Sequence, residues 1–332
     1  MGHNASIDPS ARLFYEAVSE LGWKTDPKAL AERVRQLQRG LPAEDEFALL
    51  LSWLGKCSLV HRLDQDQSPP GSKDVFRVPD LLALFRYKDR EIPVLIEVKS
   101  KEREQRLSWT PDYYRALKRY AELLRLPLLI ACKWSKFGFW TLTDVNVFAP
   151  PNENYPNYRM TFETAMRFSL MSELAGDFSY VFQRGVGLHL RLDKLEGLPP
   201  ENPTARCYEM RVSEAYFTDA LGTHLDTLGP GIFWLFVGTG QEAETVEHPH
   251  YFDYRFLMTD CSYMQAAHRL LALVTLGLGA TETVPWRQLL QRHSFSLGAQ
   301  ELAAEARDSI GRHIIQYVLY QRPAELPAFL GQ

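Results

Sequence analysis

Val78-Pro79-Asp80-Leu81-Leu82-Ala83-Leu84-Phe85-Arg86-Tyr87 is followed, across Lys88-Asp89-Arg90, by Glu91-Ile92-Pro93-Val94-Leu95-Ile96-Glu97-Val98-Lys99-Ser100. Both runs are rich in β-formers and a charged turn separates them. They predict an antiparallel hairpin, with strands over 75–87 and 92–100. A strand turns alternate side chains to opposite faces. Ile92, Val94, Ile96 and Val98 then share one apolar face, and Leu95, Glu97 and Lys99 share the other. Two charges at the end of an otherwise buried strand need partners, because burying a lone charge is costly. Asp80 on the partner strand brings a second carboxylate to the same place.

The flanking sequence sets this hairpin in a larger sheet. A helix is expected over 44–54, with Phe47, Leu50, Leu51 and Leu54 on one face and a stop at Gly55. A strand over 58–63 and a loop over 65–73 precede the hairpin. A helix over 111–124, with Thr110 as N-cap and Pro111 as first residue, follows it. Strands over 127–133 and 138–148 come next. The order helix, three strands, helix, two strands predicts an α/β fold, a mixed central sheet flanked by helices. Two further helices are expected over 10–22 and 28–39. The Pro- and Asn-rich stretch 149–157 is the expected boundary. This divides the chain into an N-terminal helical segment (1–42), a central α/β domain (43–149) and a second α+β domain (150–332). In the last, strands are expected over 178–192, 205–212, 231–237 and 251–258. Helices are expected there over 263–274, 285–292, 298–306 and 310–320.

Two carboxylates and an ammonium at one strand end suit phosphodiester hydrolysis. That reaction needs an activated water and relief of charge on the phosphoryl and leaving oxygens. Mg2+ is hard, takes oxygen ligands and is commonly held by one or two carboxylates plus substrate phosphate. Asp80 and Glu97 are the candidate ligands, with the Val98 backbone carbonyl as a third oxygen. Lys99 can orient the water or offset the developing negative charge.

Pro79-Asp80 followed by Glu97-Val98-Lys99 resembles the PD-(D/E)XK signature of restriction-endonuclease-like nucleases. The run from Leu117 to Ala131 is similar to the matching part of Holliday-junction-resolvase-like bacterial nucleases. The resemblance covers about 43–149. It implies a restriction-endonuclease-like fold and a metal-dependent endonuclease acting on DNA, with Mn2+ able to replace Mg2+. It adds Glu46, on the helix before the first strand, as a fourth catalytic and metal-binding candidate. It also implies a homodimer, since many enzymes of this fold pair subunits to cut both strands. The Gln-x-x-x-Tyr motif of the RecB-like subgroup is missing, since Ala116 stands four residues before Tyr120. The expected function is a magnesium-dependent endodeoxyribonuclease. Restriction, antiviral defence, mobile-element processing and repair are equally open as its setting. The alternatives are an RNase on the same scaffold and a non-catalytic nucleic-acid-binding protein that keeps the fold.

Bulk composition fits that reading in one half only. The net charge is −4, so the whole chain is not a basic nucleic-acid binder. Residues 1–150 carry 23 Lys and Arg against 20 Asp and Glu, or +3, which leaves 14 against 21, or −7, for 151–332. From Lys99 to Lys136 ten basic residues face four acidic ones. Such a run attracts phosphate, although it reads equally well as an ordinary solvated helix face. Lys101, Arg103, Arg106 and Lys118 are its leading candidates for contacting DNA. Tyr114 is a further phosphate candidate, and Trp109, Tyr113 and Trp134 are stacking candidates, although packing is the simpler reading of each. His248, His250 and Asp253 have ligand-like spacing but no fourth partner. The four cysteines form no CxxC pair, so reduced thiols in a cytoplasmic protein are expected. No apolar run reaches membrane-spanning length, so no membrane association is expected. The C-terminal half is expected to hold a recognition, regulatory-ligand or partner-binding function.

Overall fold

The computed structural model describes residues 43–64, 66–195, 209–226, 228–237, 242–259, 263–269 and 298–331. The helices expected over 10–22, 28–39 and 285–292 lie outside them. The chain forms two compact units. The first includes 43–177 and 321–331, and the second includes 178–269 and 299–320.

The first unit opens with α1, Ala43–Leu54. It ends before Gly55, whose φ of 83° is a left-handed value that glycine adopts without steric cost. Five strands then form one sheet: β1 (Cys57–Arg62), β2 (Leu81–Tyr87), β3 (Arg90–Lys101), β5 (Leu128–Trp134) and β6 (Phe139–Asp144). Their order is β1-β2-β3-β5-β6. Only β3 and β5 run parallel, because the connection between them crosses over through α2, Pro111–Leu124. The sheet is therefore mixed, as the element order predicted.

Both sheet faces are covered. On one, Leu95, Leu128, Ile130, Cys132 and Trp134 pack against Tyr114, Leu117 and Ala121 of α2. On the other, Trp140 lies against Phe47 of α1, with ring centroids 5.0 Å apart. The Thr110 side chain accepts the Tyr113 N–H at the start of α2 and Pro111 fills its first turn. Leu117 is fully buried. Truncating such a leucine to alanine costs roughly 2–5 kcal/mol.

The first unit differs from the expectation in four places, one being the strand expected over 138–148, which ends at Asp144 before a 3-10 turn at Val145–Val147. The strand expected over 75–87 begins only at Leu81, after a 3-10 turn at Pro70–Asp74. A short strand absent from the sequence reading, β4 (Arg106–Trp109), pairs with β7 (Tyr158–Thr161). That pairing carries the compact unit past the Pro- and Asn-rich stretch to Asp177.

The second unit is α+β. An antiparallel five-stranded sheet has the order β11-β10-β9-β13-β12, from β9 (Gly187–Lys194), β10 (Met210–Thr218), β11 (His224–Leu225), β12 (Glu242–Glu247) and β13 (Tyr251–Leu257). A three-stranded sheet comprises β8 (Ser179–Phe182), β14 (Met264–Gln265) and β15 (Ile315–Leu319). The strand expected over 178–192 is thus split in two. The helix expected over 263–274 starts as a strand, with helical residues at 266–269 and the remainder outside the described residues. The strand expected over 231–237 is a helix, α4 (Pro230–Val237), the next after α3 (Phe162–Arg167) of the first unit. A continuous apolar run has no period to separate a buried strand from a buried helix, and Pro230 suits a helix start. After α5 (Ala299–Asp308), the helix expected over 310–320 is instead β15. His313 has a φ of 56°, outside helical geometry, and β8 supplies the hydrogen-bonding partner.

Candidate metal centre

The register of the hairpin builds the site. Leu81 pairs with Ile96 and Leu82 with Leu95, so the antiparallel register continues to Asp80 opposite Glu97. Asp80 Oδ2 accepts the Val98 N–H at 2.7 Å, which fixes its carboxylate at the strand edge. Lys99 Nζ donates to Glu97 Oε1 at 2.5 Å and to the Val98 carbonyl at 3.0 Å, and lies 4.0 Å from Asp80 Oδ2. The ammonium thus sits among the three oxygen groups expected to ligate a cation. From α2, Tyr113 Oη also donates to Glu97 Oε1. With Oε1 doubly engaged, Glu97 Oε2 is buried and makes no hydrogen bond.

That bare oxygen is the main test of whether a cation fits. A buried carboxylate oxygen without a donor carries a desolvation cost that a cation would remove. Among the described residues, no three His, Cys, Asp or Glu side chains form a ready-made ligand cage. The donors on hand are two carboxylates and one carbonyl, a set that suits a hard ion retaining several waters.

The electrostatics are those of crowded acids. Burial, then the Glu97 and Glu44 charges, lift the Asp80 carboxyl to about 7 against the opposing pull of Lys99. Burial works against the Lys99 ammonium, but Glu97 and Asp80 together hold it above the ordinary lysine range. Burial and Glu97 push the Tyr113 hydroxyl up to about 12, so it remains a donor. Perturbed groups gathered at one strand end make it a candidate functional site.

The structure brings together Asp80, Glu97, the Val98 carbonyl and Lys99. It does not bring Glu46 to them. Glu97 and Ile130 stand on the α2 face of the sheet. Lys133 and Trp140 are out of phase with those residues and stand on the α1 face, where Glu46 accepts from Lys133 Nζ at 2.6 Å and from Trp140 Nε1 at 3.3 Å. The acid of α1 that feels the centre is Glu44. It is ion-paired with Arg62 at 2.7 Å, and Lys99 and Glu97 both act on its titration, which burial raises. The sequence offers Glu44, Asp45 and Glu46 side by side, and only the rotation of α1 separates them.

No protein-family model and no curated protein matches the chain. Among solved structures it is similar to Hjc, a Holliday junction resolvase from the archaeal hyperthermophile Archaeoglobus fulgidus. The match has 20% identity and a TM-score of 0.30, and it covers 38% of this chain and 91% of that one.

The remaining sequence candidates separate cleanly. Arg103 and Arg106 are exposed. Lys101 is ion-paired with Glu104, and Lys118 donates to Asn146 at 3.1 Å. Tyr114 stacks on Tyr158 at 3.7 Å and Trp109 on Phe148 at 4.6 Å, while Trp134 is fully buried, so all three serve packing. Asp253 is taken by Arg255 and His248 stacks on Tyr251, so the His248, His250 and Asp253 trio has no common centre. Tyr113, read from the sequence as a stacking candidate or a packing residue, has its hydroxyl on Glu97 Oε1. No described helix is long and apolar enough to cross a membrane.

Proposed function

We propose that this protein is a magnesium-dependent endodeoxyribonuclease of the restriction-endonuclease-like class. The observation that carries the reading is the convergence of Asp80, Glu97, the Val98 carbonyl and Lys99, with Glu97 Oε2 buried and bare. Asp80 and Glu97, with the Val98 carbonyl, are the residues assigned to hold Mg2+, and Mn2+ suits the same oxygens. When bound, the ion would polarise the phosphoryl group and acidify a water.

The chain's own groups do the rest. The Val98 N–H holds the Asp80 carboxylate, and Tyr113 occupies one oxygen of Glu97, which leaves the other available to a cation. Lys99, whose ammonium reaches Glu97, the Val98 carbonyl and Asp80, would orient the water or stabilise charge on the phosphoryl oxygens. Glu44 is the better placed α1 acid for a second or outer role at the ion. Recognition or regulation is assigned to the second unit, whose part of the sequence is acidic.

The deciding experiment incubates the purified protein with plasmid DNA, linear DNA and RNA, each with Mg2+, Mn2+ or chelator. Cleavage of DNA that chelator stops supports the reading. Cleavage of RNA alone assigns an RNase on the same scaffold, and no cleavage of any substrate overturns the enzyme.

A further inference from the structure

Three residues before Asp80 stands Arg77, which no motif in the sequence singles out. Its backbone N–H donates to the Ala116 carbonyl at 3.1 Å and so ties the approach to Asp80 onto α2. Its guanidinium lies over the Tyr113 ring, 4.3 Å from the centroid. The hydroxyl of that same ring holds Glu97. One aromatic ring therefore separates an arginine from the centre of the carboxylate pair, and the arginine is exposed.

The other cations near the centre are committed. Arg62 is bound to Glu44 and Asp45, Lys101 to Glu104 and Lys133 to Glu46. Arg77 forms no ion pair among the described residues. A guanidinium held over a ring can still present N–H groups to an anion, and its fork matches two oxygens of a phosphate. Stacking also orders the side chain in advance, so less freedom is lost when an anion arrives.

We propose that Arg77 is an anchor for a substrate backbone phosphate next to the Asp80–Glu97 centre, with the Tyr113 ring as its support. The inference rests on the nuclease reading and adds a binding residue to it. It places a phosphate contact on the segment before Asp80, ahead of the basic run that begins at Lys99.

The test measures affinity for a fluorescein-labelled DNA duplex against salt, in the full-length Asp80→Asn background with Mg2+. Arg77→Ala is expected to weaken binding about tenfold at low salt and to lower the salt slope by about one contact. Arg77→Lys restores the slope but only part of the affinity, because an ammonium keeps the charge and loses the fork. Tyr113→Phe keeps the slope, because the phenyl ring still supports the guanidinium. A slope in Arg77→Ala equal to that of its parent overturns the anchor while leaving the nuclease reading intact. A parent that binds no DNA, together with a wild-type protein that cleaves none, overturns both.

Discussion

Replacing Asp80 with Asn should stabilise the metal-free protein at neutral pH and abolish its response to Mg2+. Asn keeps an oxygen for the Val98 N–H, which Asp80 accepts at 2.7 Å, and removes a charge from a crowded acidic centre. In the folded chain the Asp80 carboxyl is raised from 3.8 to about 7. A carboxyl raised on folding favours the folded state below its unfolded value, and that advantage is lost as pH rises through the folded value. The metal-free wild type should therefore lose stability between about pH 4 and about pH 7. At about 1.4 kcal/mol per pKa unit, the ceiling on this loss is on the order of 4 kcal/mol. Lys99 can shift towards whichever carboxylate is charged, so we expect roughly 1–2 kcal/mol at about pH 8, or a few degrees of melting temperature. Melting is followed by tryptophan fluorescence in chelator, since Trp53, Trp109, Trp134 and Trp140 belong to the first unit. Saturating Mg2+ should raise the wild type by about 2–3 kcal/mol at a hundredfold excess over its dissociation constant and leave Asp80→Asn unmoved. Parallel melting curves across the pH range, or equal Mg2+ responses, would refute the reasoning.

Glu97→Gln and Lys99→Ala should each reduce DNA cleavage by at least about a hundredfold while circular dichroism stays that of the wild type; full activity in both rejects the centre. Glu46→Gln should cost about 1–3 kcal/mol by loosening its contacts with Lys133 and Trp140, with an unchanged Mg2+ requirement. Glu44→Gln should raise the Mg2+ concentration needed for half-maximal rate with little loss of stability; the reverse pattern would restore Glu46 to the site. Tyr113→Phe leaves Glu97 Oε1 held by Lys99 alone and should weaken Mg2+ binding by about tenfold, equivalent to about 1.4 kcal/mol, as read by the Mg2+-induced melting shift. An unaltered shift would reduce Tyr113 to a packing residue.

The hairpin and the grouping of its charged side chains were legible in the sequence because both depend on short-range order. Alternation along 92–98 sets the faces of β3, the charged turn sets the register, and register alone puts Asp80 across from Glu97. The same holds for α2, whose cap, first proline and apolar spacing are all local. Other features depended on partners distant in sequence. The run 231–237 is apolar throughout, so only its surroundings could decide that it coils into α4. The segment 310–320 has adequate helical spacing, yet β8 offers it a strand partner and it pairs there. At 44–46 three acids are adjacent, and chemistry alone cannot rank them. The rotation of α1 sends Glu46 to the sheet face opposite Glu97 and leaves Glu44 at the edge where Lys99 feels it. Sequence supplied the two carboxylates, the carbonyl and the ammonium, because a strand's period fixes which side chains share a face. Tertiary packing alone decided that Tyr113 leans from a helix onto Glu97 and that Arg77 rests on Tyr113, because those contacts join separate elements whose relative positions no local period encodes.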